Sequence, residues 1–108
     1  MTNRLWPAAT LVWMAGILIA SLLPGTAPAP SGTAWHLVGY GVLGALGGQW
    51  QAAWVVWLLA TGYGAVIEGL QWLLPYRLAE VADLLMNALG ALAGLLITRA
   101  WARLHRRR

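Results

Sequence analysis

The fold of this chain is decided by residues 63–71, YGAVIEGLQ, which place a carboxylate and an amide inside a long apolar run. The run is long enough to cross a bilayer, where an unpaired ionisable side chain destabilises the inserted state by several kcal/mol. Glu68 therefore marks a candidate functional site. Asp83 and Asn87 continue the polar pattern, and all three acids of the protein lie between positions 68 and 83.

The composition indicates an integral membrane protein. The chain has 108 residues, of which 60% are hydrophobic and 9% are charged, and its mean hydropathy is +0.66. Soluble domains carry about 25% charged residues. We expect most of the eight tryptophans, together with Tyr63, to be anchors at the headgroup level. The absence of cysteine from the sequence excludes a disulfide framework and a thiolate metal site.

The positive charge is concentrated at the end of the chain. Five of the seven arginines lie in residues 99–108, and there is no lysine. A short basic segment after an apolar helix is typical of an anchor on anionic lipid. We therefore predict no nucleic-acid partner, although the isoelectric point is about 10.8.

Four apolar stretches predict an all-α protein, an integral membrane four-helix bundle that forms a single domain over residues 1–108. The prolines between positions 24 and 30 end the first helix, and Pro75 ends the third. The predicted helices cover residues 5–23, 35–50, 52–74 and 81–101, and a basic tail covers residues 102–108. Glycines spaced four apart on the second and fourth helices predict close contact between helix backbones.

The arginines also predict the orientation. Arg4 precedes the first helix and the basic tail follows the fourth, so we expect both termini in the cytoplasm. We place this multi-pass protein in the bacterial inner (cytoplasmic) membrane. A cleaved signal peptide is the alternative interpretation of the first helix, because residues 27–29, APA, match a cleavage site. Pro30 disfavours cleavage there, so we predict that the helix is retained.

This topology brings polar side chains from three helices to the outer half of the bundle. The catalytic candidates are Glu68, His36 and Asp83, and the substrate-binding candidates are Arg77, Tyr40, Gln71 and Asn87. Glu68 or His36 is suited to act as a general base, with Asp83 to orient His36. The Arg77 guanidinium suits a phosphate or carboxylate headgroup.

These residues also have structural interpretations. Asp83 suits the N-terminal end of the fourth helix as a cap, and Gln71 and Asn87 suit hydrogen bonds between helices. His36, Glu68 and Asp83 resemble a metal-ligand set, but ligands on three separate helices are a weak signal. We predict neither a metal nor another cofactor.

The polar residues resemble the pattern of the VanZ-like membrane proteins. In that family a His heads one helix, and a Tyr-Gly…Glu-x-x-Gln segment, a Pro-x-Arg loop and an Asp-x-x-x-Asn-x-x-Gly helix follow. The matching residues are His36, Tyr40, Tyr63, Gly64, Glu68, Gln71, Pro75, Arg77, Asp83, Asn87, Gly90 and Gly94, and Ser21 and Pro24 match the family's Ser-x-x-Pro end of the first helix. The family often has Asp-Lys before the His, where Gly32 and Thr33 stand here.

The resemblance implies a place in the cell envelope, because the founding member of the family is linked to teicoplanin resistance. It implies no particular reaction. Two classes of function fit the residues: an enzyme or binding pocket for the headgroup of a membrane lipid or lipid-linked envelope precursor, and a small proton-coupled transporter. A third class of function is that of a non-catalytic membrane helper subunit. The first helix lacks the acid that small multidrug-resistance transporters carry there, which disfavours transport. The small size leaves open a homodimer.

Overall fold

A computed structural model describes residues 4–22, 32–74 and 81–106, and these form four α-helices. The helices are α1 (Leu5–Leu22), α2 (Gly32–Gly47), α3 (Ala53–Trp72) and α4 (Val81–Arg106). The described residues include no strand, so the all-α prediction is confirmed. Within the described residues, three segments are long and apolar enough to cross a membrane: α1, α3, and Ala82–His105 of α4. At 16 residues, α2 is shorter.

The ends of α1 and α3 agree with the predicted ones to within two residues, whereas α2 and α4 each have an end that differs by three residues or more. The sequence predicts α2 over 35–50, whereas the helix begins at Gly32 and ends at Gly47. The glycine pair Gly47-Gly48 ends it early, because glycine disfavours a helix interior by about 1 kcal/mol. The other difference is in α4, which continues to Arg106 rather than ending at Trp101. Arginine is a good helix former and its charge suits the C-terminal end of a helix, so the basic segment extends α4.

The closest packing in the molecule is between α2 and α4. A methyl group added to Gly44 would overlap the backbone of Ala91, and one added to Gly94 would overlap the carbonyl of Gly41. Backbone therefore lies directly against backbone, as the glycine spacing predicts. Ala91 is fully buried in this contact, beside the core residues Tyr40 and Leu43. Such close contact strengthens packing where lipid supplies no hydrophobic drive between helices.

Side-chain donors also join the helices through backbone carbonyls. Tyr63 on α3 donates its hydroxyl hydrogen to the carbonyl of Met14 on α1. Trp57 Nε1 donates to the carbonyl of Ala88 on α4 at 3.1 Å, and Trp13 Nε1 on α1 donates to that of Gly39 on α2 at 2.8 Å. These three aromatic residues hold helices together, so the expectation that Tyr63 is a headgroup anchor was wrong. Indole and phenol donors inside an apolar assembly need an acceptor, which fixes their orientation.

The exterior of the assembly is largely apolar. Leu5, Val12, Val66 and Leu73 are each more than 60% exposed, and the exposed apolar side chains extend along all four helices. A soluble protein rarely exposes so continuous an apolar surface. The surface instead suits contact with lipid.

Candidate functional site

The site is centred on His36, near the start of α2. Its Nδ1 donates a hydrogen bond to Oδ1 of Asn87 at 2.8 Å, and its Nε2 lies 3.5 Å from Oδ2 of Asp83. An amide oxygen can only accept, so the hydrogen of that bond belongs to Nδ1 of the ring. Asp83 and Asn87 are four residues apart on α4 and so face α2 together. The imidazole is therefore held by two oxygens from one helix face.

Tyr40 extends the site by one turn along α2. Its ring lies 6.3 Å from the imidazole of His36, with 14° between the two planes. The residue is 2% exposed, and its hydroxyl makes no hydrogen bond within the described part of the chain. Tyr40 thus adds a buried ring to the histidine cluster.

The third helix contributes one polar face. Gly64, Glu68 and Gln71 are spaced by four and then three residues, and all three are buried. A methyl group on Gly64 would overlap the amide nitrogen of Asn87, so this face lies against α4. One end of the face therefore contacts the residue that holds His36. Glu68 follows one turn later and is 3% exposed.

Gln71 joins this face to the first helix. Its Nε2 donates to the carbonyl of Ser21 at 2.8 Å, near the end of α1. The side chain is 2% exposed, and its Oε1 makes no hydrogen bond within the described residues. The end of the molecule that holds His36 is thus fixed by contributions from all four helices.

The matching family model covers nearly the whole of this arrangement. A model of the family described as VanZ/LLP1 matches residues 8–102. The chain belongs to the VanZ/LLP1 family. No curated protein and no solved structure matches it. The matched range includes every residue of the predicted site, from His36 to Asn87.

The structure brings most of the predicted site residues of this VanZ/LLP1 protein to one end. His36, Asp83, Asn87 and Tyr40 form direct contacts. Glu68 and Gln71 are buried on the α3 face that reaches Asn87, although Gln71 bonds to α1 rather than to this group. Arg77 lies outside the described residues. The catalytic and binding roles of all seven remain predictions.

The metal-ligand alternative finds no geometric support. Among residues 4–22, 32–74 and 81–106, no three His, Asp or Glu side chains lie close enough together to hold one metal ion. His36, Glu68 and Asp83 are all within those ranges. His36 instead uses both ring nitrogens toward the α4 side chains.

One contributor was missed by the sequence interpretation. Gly64 belongs to the family pattern, but its spacing to Glu68 did not suggest that Asn87 would rest on it. The sequence feature that could have indicated this contact is a glycine one turn before an acid on the same helix face. Such a glycine marks a close approach by a neighbouring group.

Proposed function

We propose that the protein spans the bacterial cytoplasmic membrane four times and recognises the polar headgroup of an amphiphile or lipid-linked envelope precursor in the outer leaflet. The observation that carries this proposal is the burial of Glu68, Asp83 and Asn87 beside the partly buried His36, at one end of apolar helices. Charged and polar side chains between such helices raise the free energy of the inserted protein, and they usually have a functional role. Both termini would be cytoplasmic, as the arginines predict.

The depth of the cluster suits a headgroup. Trp35 and Trp72 are 59% and 68% exposed at this end, as expected for side chains at the membrane surface. His36 follows Trp35 directly, and Glu68 precedes Trp72 by four residues, which is about 6 Å along a helix. The polar groups would thus lie between the headgroups and the outermost part of the acyl chains. A substrate could reach them without leaving its leaflet.

Glu68, His36 and Arg77 are proposed to have different roles. Glu68 is the strongest candidate for a base or for a contact with a cationic or hydroxyl-bearing headgroup, because its carboxylate is enclosed by apolar helices. Asn87 and Asp83 lie against the two ring nitrogens of His36 and fix the orientation of its ring. Arg77 is proposed, from the sequence alone, to bind a phosphate or carboxylate.

The test is the substitution Glu68→Gln, which nearly preserves shape and removes the charge. We expect this variant to accumulate and fold normally in the membrane, yet to lose the envelope phenotype, measured as tolerance to teicoplanin and to envelope stress in a deletion strain. Ile67→Val is the matched control, since it alters an equally buried neighbour without changing charge. If Glu68→Gln keeps full activity while Ile67→Val reduces it, the cluster is only structural. Glu68-dependent proton uptake into vesicles, with no headgroup bound, would favour a transporter instead.

A further inference from the structure

The end of the molecule opposite His36 contains a cleft of about 340 Å³ between α1, α2 and α3. Its walls are almost entirely apolar and include Met14, Leu43, Val55, Leu59 and Ala60. The cleft shares no residue with the polar cluster. Its volume lies in the range of cavities that accept small ligands.

The cleft opens sideways, between α1 and α3. Leu11 on α1 and Leu59 on α3 line it and are 64% and 68% exposed, so they flank its mouth. In a membrane this mouth faces acyl chains rather than water. The opposite wall is built by Leu43 and Ala60, which belong to the buried core. An elongated apolar group could therefore enter from the bilayer and stop against the core.

One end of the cleft is polar, and an arginine contacts the backbone there. Trp50 and Gln51, in the turn between α2 and α3, line that end. Trp50 Nε1 donates to the hydroxyl of Thr10 at 3.0 Å, which fixes the indole at the rim. The guanidinium of Arg99 on α4 donates to the backbone carbonyl of Gln51 at 3.3 Å. Arg99 is not itself a wall of the cleft, but its guanidinium contacts the backbone of Gln51, which lines this end.

No acidic side chain follows Asp83 in the sequence, so α4 has none near Arg99. Every acid of the protein lies between positions 68 and 83. Asp83 precedes Arg99 on the same helix by sixteen residues (99 − 83), which is about 24 Å. The exposed indoles of Trp54 and Trp101, at 69% and 60%, mark this level as a membrane surface. In a membrane, a lipid phosphate at this level would be within reach of the guanidinium.

We propose that this cleft binds an anionic phospholipid, with one acyl chain between α1 and α3 and the phosphate on Arg99. The apolar walls suit a chain, the sideways mouth admits one from the bilayer, and the guanidinium can bind a phosphate through two donors. The site would be in the cytoplasmic leaflet under the proposed orientation, where anionic lipid attracts basic segments. It does not depend on what the His36 cluster recognises.

The proposal is tested with detergent-purified full-length protein by native mass spectrometry, in titrations with dioleoylphosphatidylglycerol and dioleoylphosphatidylcholine. We expect the wild-type protein to retain the anionic lipid preferentially. Arg99→Gln should weaken that preference by about fivefold, as expected for one arginine at an anionic surface. Arg103→Gln, one turn further along α4, is the matched control and should change it less. An unchanged preference in Arg99→Gln would overturn the assignment of the phosphate.

The chain-binding part is tested by filling the cleft. Val55→Phe places a larger side chain on its wall, whereas Val66→Phe makes the same change on α3 outside the cleft, at a residue 63% exposed. We expect Val55→Phe to reduce retention of both lipids and Val66→Phe to leave it unchanged. If Val55→Phe does not fold, Leu11→Phe is tested instead, because Leu11 lines the cleft from α1. Equal retention by the filled and control variants would exclude the cleft as the site.

Discussion

His36 Nδ1 and Asn87 Oδ1 are joined by a hydrogen bond of 2.8 Å across 51 positions of the sequence, and this bond ties the start of α2 to α4. Asn87 is 1% exposed, so its amide cannot turn to water if His36 is removed. The same asparagine rests on Gly64 of α3. Three helices therefore depend on one amide for their arrangement around the polar site.

Removing that amide should destabilise the protein. In Asn87→Leu the Nδ1–H group of His36, whose side chain is 17% exposed, loses its acceptor, which costs about 1–3 kcal/mol. We expect a lower midpoint of thermal unfolding in detergent, followed by tryptophan fluorescence. Gln49→Leu, at an exposed amide in the turn after α2, is the control and should leave the midpoint nearly unchanged. Equal midpoints for both variants would show that the bond contributes nothing to stability.

Adding one methyl group at Gly64 should also destabilise the protein, because Gly64 on α3 lies against the same amide of Asn87. In Gly64→Ala the methyl would overlap the Asn87 amide nitrogen, and overpacking of this kind costs about 1–3 kcal/mol. The same substitution at Gly62 meets no described atom within 4 Å, and it should stabilise the helix by up to about 1 kcal/mol. The two unfolding midpoints should thus move in opposite directions. A stabilised Gly64→Ala would mean that the amide has room to move.

The indole of Trp57 should contribute more to stability than that of Trp54. Trp57→Phe removes the hydrogen bond to the carbonyl of Ala88, which is worth about 0.5–1.5 kcal/mol. Trp54→Phe changes a side chain that is 69% exposed. We expect only the first substitution to lower the resistance to unfolding in increasing sodium dodecyl sulfate. Equal effects would indicate that Trp57 acts through its packing alone.

The proposed orientation can be tested with single cysteines, because the natural sequence has none. Cysteines at positions 28 and 78 should react with a membrane-impermeant maleimide in intact cells. A cysteine at position 49 should react only after the membrane is permeabilised, since the arginine distribution places that turn in the cytoplasm. Reaction at position 49 but not at 78 in intact cells would invert the topology and move the polar site to the inner leaflet.

The sequence determined the four helices to within a few residues, because their apolar runs and the prolines between them are local features. It also identified the polar candidates, since an acid such as Glu68 inside an apolar run is conspicuous without any structure. The predicted end of α4 at residue 101 was wrong, because the arginines that follow were interpreted as a basic tail. Arginine also favours a helix. The charge pattern alone does not distinguish a basic tail from an arginine-rich end of a helix.

Only the tertiary structure decided which side chains meet. Spacing placed Asp83 and Asn87 on one face of α4, but it could not show that both oxygens would converge on His36. Nor could it show that Gln71 would bond to the end of α1, or that Tyr63 would bond to Met14 rather than reach the headgroups. The rotation of each helix about its axis is set by the packing of glycines such as Gly44 and Gly94 against neighbouring backbone. That rotation depends on contacts distant in sequence, whereas the helices themselves depend on neighbours along the chain.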